Sequence, residues 1–209
     1  MLKEIRIHGR GGQGAVTLAE LIAVTAFFDG KKVQAFPSFG VERRGAPVES
    51  YVRISDKKVL RYDQILNPDF LIILDETLLK ENFVFKGLDK GDIVLINSKK
   101  TAEEERGYFK TYPDITVYTL DATSLGLEVL GKPIANTAMV GAFSATTGLI
   151  SFESIKKAIG EKFDQDLVEK NILLAKKAFD FIGSKSKNVI VSEGREVVLY
   201  NQENIRISP

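Results

Sequence analysis

Six residues near the start of the chain, Gly9-Arg10-Gly11-Gly12-Gln13-Gly14, have the make-up of a loop that holds phosphate. Gly9, Gly11 and Gly14 satisfy G-x-G-x-x-G, between a short run from Glu4 to His8 and an apolar stretch from Ala15 to Phe28. In such a setting glycines let the backbone turn sharply and let a phosphate approach. The helix that follows offers unpaired N–H groups and the positive end of its dipole. Gln13 would add a side-chain donor. The same glycines would also serve close strand–helix packing alone. A nicotinamide-binding unit expects an acid about 20 residues past the loop to hold the ribose hydroxyls. Here the second strand ends in Phe36-Pro37-Ser38-Phe39, with no acid. Just beyond lies Glu42-Arg43-Arg44-Gly45, whose two guanidinium groups suit phosphate through paired hydrogen bonds. A ligand bearing several phosphates fits this better than NAD. NADP with an arginine on its 2′-phosphate also fits, and a surface or intersubunit ion pair is the alternative for Arg43 and Arg44.

Two further places could do chemistry. His8 stands at the end of the first strand, next to the glycine loop, either as a buried histidine or within reach of a ligand. Asn136-Thr137 opens a predicted helix after Pro133-Ile134-Ala135, where capping is the ordinary role and a polar contact to the ligand the sharper one. The composition removes other chemistries. With no cysteine there are no disulfides, thiolate-held clusters or thiol nucleophiles, and a single histidine rules out a histidine ligand cluster. The 29 basic and 28 acidic residues leave a formal charge of +1, which gives nucleic-acid binding no support. No run of apolar residues reaches membrane-spanning length and the first residues lack a signal peptide's apolar stretch, so a cytoplasmic chain is expected.

The elements that must position these residues are legible from patterning. Glu4–His8, the glycine loop and Ala15–Phe28 read as strand, tight turn and helix, with Gly30 ending the helix in a left-handed conformation. The helix is apolar on most sides, which predicts burial between layers. A second strand follows at Val33–Phe36. Val48–Ser55 alternates, Val48, Ser50, Val52 and Ile54 against Glu49, Tyr51 and Arg53, and predicts a half-buried strand. Phe70–Leu74 and Ile93–Ile96 are continuous apolar runs suited to a sheet covered on both faces, and Ile115–Leu120 is a further strand. Helical patterns fall at Asn136–Thr147, Phe152–Phe163 and Gln165–Ile182. Together these predict an α/β domain over residues 1–183, a Rossmann-like layered sheet with helices on both faces. Residues 184–209 form a C-terminal extension. A polar linker, Ser184–Lys187, precedes two β-like runs, Asn188–Val191 and Glu196–Tyr200, as a hairpin on the parent domain or an arm for a neighbouring subunit.

Three blocks carry a family resemblance. Ile5-Arg6-Ile7-His8-Gly9-Arg10-Gly11-Gly12-Gln13-Gly14, Ala35–Gly40 continued by Glu42-Arg43-Arg44-Gly45-Ala46-Pro47-Val48, and Asn136-Thr137-Ala138-Met139-Val140-Gly141-Ala142-Phe143 closely resemble the gamma subunits of the pyruvate:ferredoxin (2-oxoacid:ferredoxin) oxidoreductase family. The resemblance spans roughly residues 3–182. Where the family often has Pro, this chain has Val41. The resemblance implies a subunit, inactive alone, of a complex that oxidatively decarboxylates pyruvate, transfers the acyl group to coenzyme A and passes electrons to ferredoxin. Alpha, beta and delta-type chains would be its partners, and thiamine diphosphate, Mg and iron–sulfur clusters would lie on them. Coenzyme A would be bound here, by Gly11, Gly12, Gln13, Gly14, Ser38, Arg43, Arg44, Asn136 and Thr137. None of these would transfer a proton or ligate a metal. A purely structural assembly subunit is the alternative, and a free-standing nucleotide-dependent dehydrogenase a remoter one.

Overall fold

The computed structural model describes residues 1–38, 44–112 and 114–186. The elements, in chain order, are β1 (Leu2–Arg10), α1 (Ala15–Phe28), β2 (Lys32–Pro37), β3 (Pro47–Ser55), β4 (Phe70–Ile73), two 3-10 turns (Glu76–Lys80 and Asn82–Phe85), β5 (Ile93–Asn97), α2 (Ala102–Glu105), a third 3-10 turn (Arg106–Phe109), β6 (Thr116–Leu120), α3 (Ala122–Leu130), α4 (Asn136–Thr147), α5 (Phe152–Lys162) and α6 (Gln165–Ser186). The strands form one six-stranded sheet in the order β2-β3-β1-β4-β5-β6. β1, β4, β5 and β6 run parallel, and β3 lies antiparallel between β2 and β1. The domain is therefore α/β, with an antiparallel insertion on one side of an otherwise Rossmann-like parallel sheet.

Strand alternation divides the interior into two cores. Ile5, Ile7, Phe70, Ile72 and Leu95 face a layer of helices that includes α1, α4 and α6. Leu71, Ile73, Val94, Ile96 and Val117 face the opposite way, against Leu78, Leu79, Val84, Phe85 and Phe109 of the 3-10 turns. The longer helices cover one face and short helical turns the other. α1 is buried along Leu18, Leu21, Ile22 and Ala26, as its sequence predicts, and Gly30 with φ 76° follows its end.

One expectation is corrected. β3 is not half-buried: Tyr51, Val52, Arg53, Ile54 and Ser55 are all buried. Its second face is covered by the connection from residue 56 to 69, to which Arg53 bonds through the carbonyl oxygens of Arg61 and Asp63. A polar side chain on an alternating strand marks solvent only when no loop returns to satisfy it. The helix expected to end at Ile182 continues to Ser186. The expected strands Asn188–Val191 and Glu196–Tyr200 lie outside the described residues.

Candidate functional site

The carboxyl end of β1 lies where the sheet changes character, antiparallel to β3 on one side and parallel to β4 on the other. Ligands of open α/β sheets bind in such crevices, outside the strands' carboxyl ends. The glycine loop occupies this place. Gly12 and Gly14 have φ of 94° and 81°, a left-handed region that L side chains rarely adopt. The loop is laced to the turn that follows the second strand: Gly11 N–H donates to Ala46 O at 2.8 Å and Gly45 N–H to Gly11 O at 3.1 Å. That turn brings Arg44 alongside, its Cγ 4.0 Å from where a Cβ on Gly12 would stand. Arg44 is exposed and has no hydrogen-bond or ion-pair partner among the described residues.

The loop's own polar side chains work inwards. Gln13 Oε1 accepts from Arg10 N–H at 2.7 Å, and its Nε2 donates to Asp75 Oδ2 at 2.7 Å. Arg10 donates from Nη2 to Thr77 Oγ1 at 2.7 Å and lies 3.3 Å from Asp75 through Nε. Burial pushes the Asp75 carboxyl up, but hydrogen bonds from Thr77 and Gln13, with Arg10 nearby, leave it lowered overall. Asp75 and Thr77 were not singled out from the sequence. The signal was an acid directly after the apolar run Phe70–Leu74.

Two helix N-termini meet here. α1 begins at Gly14 and α4 after Ala135, and neither has a side-chain cap or an acid in its first turn. By contrast α2, α3 and α5 are capped by Thr101, Asp121 and Ser151. The first-turn N–H groups of α1 and α4 have no intrahelical acceptors, and each helix offers partial positive charge. Asn136 opens α4 so close to Gly14 that a Cβ there would lie 2.3 Å from its Nδ2. Asn136 is 8% exposed, and its Oδ1 is buried without a hydrogen-bond partner. The two uncapped helix ends fit an anionic group, and the buried Asn136 Oδ1, an acceptor, fits an N–H or O–H donor on the same ligand.

The other sequence-derived candidates are distributed as follows. Thr137 is 1% exposed, and its Oγ1 donates to Asn171 Oδ1 of α6 at 2.8 Å, so its side chain ties two helices together. Ser38 follows β2, one strand beyond β3 from the glycine loop; its N–H donates to Glu49 O at 2.9 Å and its Oγ accepts from Gln64 Nε2 at 3.2 Å. Arg43 lies outside the described residues, as do Phe39, Gly40 and Glu42 of the expected turn. His8 is buried on the face of the 3-10 turns, its ring 5.9 Å from Phe83. Its Nδ1 is 3.7 Å from Glu49 Oε1, too far for a hydrogen bond. Burial, helped by the Arg6 charge, depresses its pKa to about 3, so the imidazole is neutral at physiological pH. Among the described residues no group of acids or histidines is placed to hold a metal, and no helix is long and apolar enough to cross a membrane.

The chain is similar to known proteins along most of its length. Residues 4–181 match the family model described as pyruvate ferredoxin/flavodoxin oxidoreductase. The chain is 54% identical over 177 residues to pyruvate synthase subunit PorC of Methanocaldococcus jannaschii, covering 85% of this chain and 95% of that protein. It is 50% identical, over the same shares of each, to the pyruvate/ketoisovalerate oxidoreductases common subunit gamma of Thermococcus kodakarensis. Among solved structures, the pyruvate oxidoreductase subunit PORC of Thermotoga maritima superposes with a TM-score of 0.76 at 34% identity, covering 86% of this chain and 96% of that one.

Proposed function

Since the chain belongs to the pyruvate ferredoxin/flavodoxin oxidoreductase family, we propose that it is the gamma subunit of a pyruvate (2-oxoacid):ferredoxin oxidoreductase complex and that it binds coenzyme A. Its partners are the alpha, beta and delta-type subunits, which hold thiamine diphosphate, Mg and the iron–sulfur clusters and pass electrons to ferredoxin. The subunit role is supported by relatives at about half identity along nearly their whole length. A chain without cysteine has no thiolate to hold such clusters itself.

The observation that carries the coenzyme A reading is the pair of uncapped helix N-termini, which suit phosphate, beside the unpartnered Oδ1 of Asn136, which suits an amide N–H or hydroxyl donor of the same ligand. The N–H groups of Gly12, Gly14 and the first turns of α1 and α4 would receive phosphate oxygens, and Arg44, with Arg43 next to it in sequence, would neutralise them. Gly11 and Gln13 shape the loop by their bonds to Ala46 and Asp75. Ser38 extends the rim, and Thr137 braces α4 from behind. Coenzyme A supplies the thiol that accepts the acyl group; this chain's residues hold and orient its carrier, making the attack effectively intramolecular.

The test uses the assembled complex, purified anaerobically, with pyruvate-dependent viologen reduction as the readout. Asn136→Ala and the double variant Arg43→Ala/Arg44→Ala are expected to raise the KM for coenzyme A roughly tenfold, about what one or two charge-assisted hydrogen bonds supply. The KM for pyruvate should stay put. An unchanged KM for coenzyme A in both variants would leave the chain a purely structural assembly subunit.

A further inference from the structure

The connection between β3 and β4 contains three large apolar side chains that the fold turns outwards. Leu60, Tyr62 and Leu66 are 72%, 81% and 70% exposed, while Ile65 between them is 1% exposed and packs inwards. An irregular loop with such side chains would ordinarily be mobile, but this one is pinned along its length. Arg53, fully buried, donates to Asp63 O at 2.9 Å and to Arg61 O at 3.4 Å. Arg6, also buried, donates from Nη1 to Ile65 O and Leu66 O, at 3.3 and 3.0 Å, and from Nη2 to Val84 O and Lys86 O, at 3.0 and 2.5 Å. Gly87 completes the anchorage: a Cβ there would stand 1.9 Å from Leu66 O, so only glycine lets the strap lie this close. Two buried guanidinium groups thus hold the strap's carbonyl groups while its apolar side chains face solvent. Such preorganisation lowers the ordering cost of docking a partner.

Charge narrows the choice of occupant. The acids at the two ends of the strap are spent: Asp56 on the N-terminal ammonium and Lys31, Asp63 on Arg61 and Arg53. Lys57 and Lys58 are exposed and have no ion-pair partner among the described residues. The strap therefore presents an apolar centre with an uncompensated basic edge, and a second copy of it would bring the same lysines without a spare carboxylate. The strap also joins the candidate site, because Gln64 Nε2 donates to Ser38 Oγ.

We propose that the strap from Lys57 to Leu66 is a docking surface for a neighbouring chain of the oxidoreductase complex, one that presents an apolar recess edged by carboxylates beside the coenzyme A site. This rests on the subunit reading above. The experiment co-purifies tagged chains with their partners under anaerobic conditions and weighs the assemblies by native mass spectrometry. The triple variant Leu60→Asp/Tyr62→Asp/Leu66→Asp is compared with wild type and with Phe27→Asp, a control at another exposed aromatic, 64% exposed at the end of α1. Thermal melting and the milder triple alanine variant guard against misfolding. The expected result is at least about a tenfold loss of assembled complex in the aspartate variant, a smaller loss in the alanine variant, and none at Phe27. Wild-type levels of assembly in the aspartate variant would overturn the proposal while leaving the subunit reading intact. It would equally fall if the strap changes abolished only self-association of this chain. If wild-type chain recovers no partners, the subunit reading itself fails and the docking surface with it.

Discussion

His8 is the sequence's single histidine, and it is buried with both ring nitrogens unpartnered among the described residues. Its pKa falls from 6.5 to about 3, because burial and the nearby Arg6 oppose the imidazolium. The unfolded chain therefore takes up a proton that the native state refuses between those values. Stability is complete above the unfolded value and is lost as pH falls through the window, at up to roughly 1.4 kcal/mol per pH unit. Between about pH 7 and about pH 5, where carboxylates titrate little, the loss should amount to about 2 kcal/mol. Urea unfolding across that interval measures it, and His8→Leu should flatten the slope. A slope that persists in His8→Leu would show that the native histidine titrates normally. His8 also shows why the site was only partly legible in the sequence. Its place beside the glycine loop was visible, but strand alternation turns it to the face opposite Ile7, and the depth of cover there depends on segments from residue 56 onwards. Gln13 shows the same limit, its amide bonded to Asp75, which lies 62 positions away.

Among the elements, the parallel strands and the long helices were legible because their signals are local: apolar runs bounded by polar turns, and apolar positions at helical spacing. The start of α5 depends on a group that no local pattern reveals. Ser151 caps that helix, and Asp29, just past α1, accepts hydrogen bonds from Ser151 N–H at 2.7 Å, Ser151 Oγ at 2.6 Å and Ser154 Oγ at 2.7 Å. One carboxylate thus fixes the C-terminal end of α1 against the N-terminal end of α5, where a negative charge also suits the dipole. Asp29→Ala should cost about 2 kcal/mol, since these bonds are charge-assisted but partly exposed, with Asn substitution recovering part of it. Denaturant midpoints report the loss, and the KM for coenzyme A should not move, because this junction lies at the far end of α1 from Gly14. A rise in that KM would mean that α1 shifts as a rigid rod and carries its glycine loop with it. β3 was misjudged for the complementary reason. Arg53 and Glu49 alternate with apolar residues as solvent-facing positions would, yet Arg53 finds Glu4, Gln34 and the strap within the fold.

At the scale of the molecule, two cores are traced among the described residues. The last residue of the helix-side core is Ile182, and the core of the opposite face ends at Val117. The relatives at 50% and 54% identity are matched over 95% of their length by 85% of this chain, and the family model matches residues 4–181. A chain truncated after Ser186 should therefore keep its fold. For a domain of this size a loss of about 1 kcal/mol moves Tm by about 2–4 °C, and truncation should move it by less. The two uses foreseen for residues 184–209, a hairpin on the parent domain and an arm for a neighbour, then separate cleanly. A hairpin packed on the parent sheet would bury apolar surface within the chain, so its removal would lower the Tm of the isolated subunit by several degrees. An arm would leave that Tm unchanged and weaken only co-purification with the other chains. Melting the isolated subunit with and without the extension, alongside native mass spectrometry of the complex, decides between them. Unchanged Tm with intact assembly would exclude both roles and leave the domain, its strap and its glycine loop sufficient for a working subunit.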